Sequence, residues 1–275
     1  MNPWLETVGV IIVALLGIFL GRAFSRLRKA CWTLGYFLPL VLIAMLVAAR
    51  CDDKLTFTPP FFWLTAGRVK FVVLCLAVTM GLTTPLSRLP RRCEKLIICI
   101  LMGVVVVWFS VLPFLVPALI KDHLSNLKTR VDSNGICFQT KDYTCGPAAA
   151  VTALIKLGLP ASEAEIAILS HSSPVTGTLT SCLSTALQNR YRADGLKCQY
   201  RRFDSISQLK NAGVTLAVVR DAFLRDHCVA VLEISDRMVT IADPVSGKKL
   251  MSHKQFGKIW RFSGIVLKRN AAQSI

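Results

Sequence analysis

Charge is scarce in this sequence. Only 18% of its 275 residues are Asp, Glu, Lys or Arg, against about a quarter in an ordinary soluble domain. By contrast 53% are hydrophobic, and the mean hydropathy is +0.52. Acid is scarcer still in the first 120 residues, where Glu6, Asp52, Asp53 and Glu94 stand against twelve basic side chains. Such a composition excludes a disordered or collagen-like chain. It also argues against a purely soluble one, because the apolar excess must sit in lipid or in an unusually large core. Other absences narrow the chemistry. Ten cysteines form no Cys-x-x-Cys pair and no His/Cys spacing of the zinc-binding kind, so no metal is expected. Ser246-Gly247-Lys248 lacks the upstream glycine and the hydroxyl after lysine of a phosphate-binding loop, so neither a nucleotide nor another cofactor is expected. The net charge of +17 comes without a helix-turn-helix, zinc-finger or aromatic stacking pattern, which argues against nucleic acid. Attraction to anionic lipid or to an acidic peptide is the milder reading of that charge.

What is present falls into two halves. From Lys121 onward there are twelve acidic and twenty-one basic residues, so the apolar, acid-poor stretch ends near that residue. A transmembrane domain over 1–120 and a soluble domain over 121–275 are expected. Four apolar stretches mark the first: Leu5 to Gly21, Cys31 to Ala49, Val69 to Leu86, and Leu96 to Ile120, the last with a kink expected near Pro113 and Pro117. A spanning helix needs ~20 apolar residues. The second and fourth stretches qualify outright, the first and third are short, and a buried core helix stays open for the third. The first stretch lacks the basic n-region and the Ala-x-Ala exit of a signal peptide.

Loop charges orient the spans, since short loops rich in Lys and Arg stay cytoplasmic. Arg22, Arg26, Arg28 and Lys29 follow the first stretch without an acid. Arg88, Arg91, Arg92 and Lys95 follow the third against Glu94 alone. Between the second and third, Arg50 and Lys54 are offset by Asp52 and Asp53. Four spans put the basic loops on one side only with both termini outside. An integral protein of a bacterial inner or cytoplasmic membrane is expected, its soluble domain periplasmic or extracellular. In that location disulfides among Cys137, Cys145, Cys182, Cys198 and Cys228 are open, with no connectivity legible.

In the soluble half, Cys145-Gly146-Pro147 leads into an alanine-rich run ending at Gly158. Proline suits the first turn of a helix, alanine its body and glycine its end. Cys145 therefore stands at a helix N-terminus, where unpaired N–H groups and the helix dipole favour a thiolate. Helices over Glu163 to Ser170 and Thr180 to Tyr191 follow. Next come a strand from Cys198 to Phe203, a short helix from Ser205 to Asn211 and a buried strand from Val214 to Arg220. Helices followed by strands indicate an α+β fold.

His227 to Ile234 and Met238 to Asp243 have strand composition, with Ser235-Asp236-Arg237 as the turn and Pro244 as the stop. If Ile234 opposes Met238, then Val229 opposes Asp243, and Asp243 lies diagonally beside His227, within side-chain reach. Such a pair can act as base and orienter; a structural hydrogen bond is the plainer alternative. Gln139 lies six residues before Cys145 on an extended lead-in. From there its amide can help the Cys145 N–H hold an oxyanion, unless it merely faces solvent.

These pieces taken together resemble a known family. Gln139-x5-Cys145-Gly146-Pro147-Ala148-Ala149, then His227-Cys228-Val229-Ala230-Val231, then Ile241-Ala242-Asp243-Pro244-x2-Gly247 looks like the bacteriocin-processing, double-glycine leader peptidases. Gln255-Phe256-x3-Trp260-x3-Gly264-x2-Leu267 resembles that family's C-terminal signature. The resemblance covers Ile136 to Leu267. It implies a papain-like cysteine peptidase domain, with a helical lobe carrying the cysteine against an antiparallel sheet carrying histidine and aspartate. It further implies Cys145 as nucleophile, His227 as base and acid, Asp243 as orienter, Gln139 as oxyanion donor, and leader peptides ending in Gly-Gly-like pairs as substrates. Thr144 departs from the pattern, since family members often carry an acid there. The expected partners are a peptide or protein substrate, the lipid bilayer and a secretion or export complex. A transglutaminase-like acyl transferase and a silent peptide-binding module are the rival readings.

Overall fold

The computed structural model describes residues 3–27, 31–52, 54–222 and 225–270. Arg28, Lys29 and Asp53, which enter the loop-charge reading, lie outside the described residues. The chain divides into two units, 1–119 and 120–275.

The first unit is helical. Helix α1 (Pro3–Ser25) is followed by a 3-10 turn that runs into α2 (Phe37–Cys51), then by the short α3 (Phe61–Thr65) and by α4 (Val69–Thr83). Helix α5 (Arg92–Val106) continues through a π-helical stretch, Val107–Val111, into α6 (Leu112–Leu119). Pro113 and Pro117 supply no N–H to the helical ladder, and the widened turn just ahead of them absorbs the missing bonds. Glycines let α1 and α4 approach closely. A Cβ on Gly17 would lie 2.0 Å from Thr79 Oγ1, and one on Gly21 2.0 Å from Thr83 Oγ1. This is the small-xxx-small packing that joins helices in lipid. The threonine hydroxyls donate back to their own helix, at 2.7 Å to the Cys75 carbonyl and 2.5 Å to that of Thr79, so neither hydroxyl is stranded.

Large apolar side chains point outward along α1, α2 and α5, among them Leu5, Phe19, Leu40 and Ile97. Two helices are long and apolar enough to cross a membrane among the described residues, Trp4–Ser25 and Cys31–Cys51, where four spans are expected from the sequence. Helix α4 has 15 residues, about 22 Å of axial rise against a hydrocarbon core of ~30 Å. Its Cys75, Ala77 and Met80 are buried against neighbouring helices. The fourth expected span is helical from Arg92 to Leu119 but interrupted by the π turn.

The second unit is α+β. Helix α7 (Lys121–Ser125) precedes a two-stranded ribbon of β1 (Arg130–Val131) and β2 (Cys137–Phe138). Helices α8 (Cys145–Lys156), α9 (Glu163–Leu169) and α10 (Thr180–Tyr191) form the helical lobe. Then come β3 (Leu196–Arg202), α11 (Ile206–Lys210), β4 (Val214–Ala222), β5 (Arg225–Ile234), β6 (Met238–Asp243), β7 (Gly247–Ser252), α12 (His253–Ile259) and β8 (Trp260–Arg269). The six longer strands make one antiparallel sheet in the order β3-β8-β4-β5-β6-β7.

Alternation along the strands gives the sheet two apolar faces. Ala230, Ala242, Leu216 and Ile265 meet Ala148, Ala149 and Leu154 of α8 and Leu183, Leu187 and Tyr191 of α10. Val229, Val231, Val239 and Ile241 meet Phe203, Leu209, Phe256 and Trp260 on the other side. This second layer, carried by α11 and α12, adds to the single helical lobe expected from the sequence. Alanines on both α8 and the facing strands let the helix sit close to the sheet, which brings its N-terminus to the strand ends.

Candidate active site

Cys145 is the first residue of α8, with Thr144 before it as N-cap. The early N–H groups of a helix have no intrahelical acceptor, and Pro147 brings none. Gly146 is required where it stands, since a Cβ there would come within 3.0 Å of Thr178 and 3.2 Å of Leu183. Cys145 itself remains partly accessible.

His227 lies near the start of β5. Its Nε2 is 2.9 Å from Asp243 Oδ1, at the end of β6, and both side chains are largely buried. Cys145 is the other ionisable neighbour that acts on the imidazole. The hairpin that joins the two strands differs in detail from the sequence expectation. Ile234 pairs with Val239 rather than Met238, so the turn is one residue longer. A bulge between Val231 and Glu233 then restores the register, and Ala230 pairs with Ala242. Leu232 is the extra residue, and Lys156 Nζ at the end of α8 donates to its carbonyl. One register step further puts Val229 opposite Asp243, and His227 diagonal to it, as the strand pattern predicts.

Asp243 accepts four hydrogen bonds: from His227, from Val245 N–H at 2.9 Å, from Ser246 Oγ at 2.6 Å and from Lys249 Nζ at 2.8 Å. Burial alone would raise its pKa. The bonds from His227, Lys249, Ser246 and Val245 outweigh that and hold the carboxyl well below the usual carboxylate range. Burial alone would likewise lower the pKa of His227. Its hydrogen bond to Asp243, its interaction with Cys145 and the charge of the carboxylate instead raise it to about 9.

Gln139 follows β2. Its N–H donates to the Pro244 carbonyl at 3.0 Å, so the turn after Asp243 also holds the lead-in to Cys145. Its side-chain Oε1 is buried and accepts no hydrogen bond. His227 and Asp243 thus form a hydrogen-bonded pair with Cys145 as the neighbour of the imidazole, and Gln139 is tied to the Asp243 turn through backbone.

Sequence reading missed three side chains here. Lys249 and Ser246 bind Asp243. Glu163, fully buried at the start of α9, accepts from Thr140 N–H at 2.8 Å, from Thr140 Oγ1 at 2.6 Å and from Thr144 Oγ1 at 2.6 Å. A buried carboxylate is tolerated only with such a set of donors. The departure at Thr144 is thereby accounted for locally, since a carboxylate reaches that spot from α9. The cysteines are not joined in disulfides, so the pairings left open by the sequence are not formed. Burial, then the charge of Glu163, pushes the Cys137 thiol up to about 12, and burial pushes Cys198 up to about 12.

Comparison with known proteins adds the following. An uncharacterized protein of Methanothermobacter thermautotrophicus is 27% identical over 143 residues, covering 52% of this chain and 94% of its own length. An uncharacterized protein of Methanothermobacter marburgensis is 29% identical over 144 residues, 52% of this chain and 95% of its own. Among solved structures, a double glycine motif protease from an AMS/PCAT transporter, in complex with the leader peptide, aligns at 17% identity with a TM-score of 0.42, over 52% of this chain and 93% of that one. The peptidase domain of Streptococcus ComA, a bi-functional ABC transporter involved in quorum sensing, aligns at 19% identity and a TM-score of 0.42, over 48% of this chain and 96% of that one. The protein is a cysteine peptidase of papain-like fold. The chain belongs to the Peptidase C39 family, which it matches over residues 133–274.

Proposed function

We propose that this protein is a membrane-anchored endopeptidase that cuts leader-type peptides after small-residue pairs, using Cys145, His227, Asp243 and Gln139. The observation that carries the reading is the His227–Asp243 hydrogen bond, with Cys145 at a helix N-terminus acting on the same imidazole. In the proposed cycle the Cys145 sulfur attacks the peptide carbonyl carbon while His227 holds the proton. The carbonyl oxygen gains negative charge and takes hydrogen bonds from the Cys145 N–H and the Gln139 amide. His227 then gives its proton to the leaving amine as the C–N bond breaks. It next takes a proton from water, whose oxygen attacks the thioester and releases the acid and the thiolate. Asp243 keeps the imidazole in the orientation and charge state this requires.

Anchoring is supported by the two apolar helices and their outward-facing large side chains, which in water would be exposed at a cost of about 25 cal/mol per Å2. Loop charges support a peptidase domain outside the membrane. We take residues 1–120 as the transmembrane domain and 121–275 as the peptidase domain. The substrate class rests on the resemblance of the Gln139-to-Gly247 motifs to those of double-glycine leader peptidases. A mixed peptide library, incubated with detergent-solubilised protein and read by mass spectrometry, tests the whole proposal. We expect cuts after pairs such as Gly-Gly that vanish with Cys145→Ala. Cuts that persist in the variant would remove Cys145 from the mechanism, and cuts at unrelated sequences would remove the leader class alone.

A further inference from the structure

We infer that Glu163 is a positioning residue that sets the distance and angle between Gln139 and Cys145, acting through Thr140 and Thr144. The inference rests on the proposed roles of Gln139 as oxyanion donor and Cys145 as nucleophile. Thr140 is the chain neighbour of Gln139, and Thr144 is the chain neighbour of Cys145. One carboxylate binds both. Its Oε1 accepts from Thr140 N–H at 2.8 Å and Thr144 Oγ1 at 2.6 Å, and its Oε2 accepts from Thr140 Oγ1 at 2.6 Å. The segment from Gln139 to Thr144 has no regular secondary structure. Besides these bonds it is held by Thr144 N–H and Oγ1 on the Lys141 carbonyl at 3.0 and 2.9 Å, by Lys141 N–H on Thr144 Oγ1 at 3.1 Å, and by Thr178 Oγ1 on the Tyr143 carbonyl at 3.0 Å, while Thr140 Oγ1 also reaches the Lys128 carbonyl at 3.3 Å. The Glu163 carboxylate is the group that joins the Thr140 end to the Thr144 end.

The arrangement is not that of an ordinary acid in the first turn of a helix. Glu165, in the same turn of α9, is half exposed and pairs with Arg190 at the surface. Glu163 is fully buried and points away from its own helix into the loop. Its backbone is fixed as well, since the Glu163 N–H donates to Thr129 Oγ1 at 2.9 Å, and the Ser162 side chain caps the helix behind it. Thr144 is also fully buried. A carboxylate is suited to this position because it offers several acceptor sites and no donor, so one group can gather two hydroxyls and a backbone N–H at short distance. The other end of the loop is held independently by the Gln139 N–H on the Pro244 carbonyl. Gln139 therefore has one restraint toward the Asp243 turn and another, through Thr140, toward Cys145.

Displacing an oxyanion donor by about an ångström costs as much as removing much of its effect, about tenfold to a hundredfold in rate. The test compares the solubilised full chain with Glu163→Ala, Gln139→Ala and the double variant, measuring kcat, KM and the rate at which iodoacetamide alkylates Cys145. For Glu163→Ala we expect kcat to fall about tenfold to a hundredfold, with KM and the alkylation rate within about twofold of wild type, because the Cys145–His227 pair is left in place. In a Gln139→Ala background the same substitution should change kcat by less than about twofold, since the donor it positions is already gone. A wild-type kcat in Glu163→Ala overturns the inference, and so do losses that multiply in the double variant. A parallel fall in alkylation overturns it too, by showing that Glu163 supports the thiol or the fold instead. Full activity in Gln139→Ala would overturn the oxyanion role itself, a failure separable from the others. If Glu163→Ala does not fold, Thr140→Val, which removes one hydroxyl contact, must show the same non-additive loss on a smaller scale.

Discussion

At the scale of residues, the site is governed by how one carboxylate distributes its acceptor capacity. Asp243 Oδ2 is occupied by Lys249 and Ser246, while Oδ1 serves His227 and the Val245 N–H. Lys249 withdraws negative charge from the side of the carboxylate that faces away from the imidazole. Substituting Lys249→Met should therefore strengthen the hold on the His227 proton and move the alkaline limb of the kcat/KM profile upward by about half a pH unit, modest because the lysine is partly exposed. A downward or absent shift would show that Lys249 does not act on the pair. The sign for wild type follows from the same charges. His227 is raised to about 9 from an ordinary value near 6.5, so protonated His227 is kept from neutral pH up to that region and activity declines as pH rises through it. The associated stabilisation is complete below about pH 6.5 and is lost by about pH 9, whereas that of Asp243, whose pKa is lowered, is present above about pH 4 and lost on further acidification. Cys145, His227, Asp243 and Gln139 were legible because each stands beside a marker of local structure, a helix start, a strand end or a proline. Lys249 and Glu163 carry no such marker. Lys249 reaches Asp243 only because Asp243 pairs with Gly247 and Ile241 with Lys249 across β6 and β7, and Glu163 reaches Thr144 only because α9 packs under the loop.

At the scale of elements, β8 decides the sheet. It lies between β3 and β4, pairing Leu216 with Ile265 and Tyr200 with the same residue from the other side. Gly264 is the narrow point, since a Cβ there would sit 2.6 Å from the Leu216 carbonyl oxygen. Gly264→Val should destabilise the peptidase domain by about 2–3 kcal/mol, or prevent its folding, as read by urea titration; an unchanged midpoint would mean that β4 and β8 can separate at this point. Trp260 to Ser263 alternates, but Gly264 and the continuous Ile265-Val266-Leu267 run break the period, so no strand is evident there from the sequence, whereas the Val229-Ala230-Val231-Leu232 run of β5 is plain. The hairpin shows a different limit. The length of its turn and the bulge at Leu232 are each a one-residue departure, and their offset leaves His227 beside Asp243. Local patterns carry the face a side chain occupies, but bulges are set by contacts such as that of Lys156 with Leu232.

At the scale of the whole molecule, the two units, 1–119 and 120–275, differ in which side chains they turn outward. The first hides its small residues and threonines between helices and turns its large apolar side chains outward, an inversion of the second, whose large apolar residues fill the two cores. We expect the protein to stay with membranes through washes in high salt and at alkaline pH and to be released by detergent. Release by salt alone would show that charge, rather than apolar insertion, holds it there. The charge distribution changes near Lys121, beside the boundary between the two units, whereas hydropathy does not reveal that α4 has 15 residues or that a π turn divides α5 from α6. The order β3-β8-β4-β5-β6-β7 also has a consequence in time. Strand β8 follows the other five in sequence yet is an interior one, so β3 and β4 have no bridge between them until it has been made. The earlier strands and the Cys145 helix emerge first but lack the central rib that gives the sheet its rigidity. The sheet that carries His227 and Asp243 is therefore completed by a strand that follows both of them in sequence.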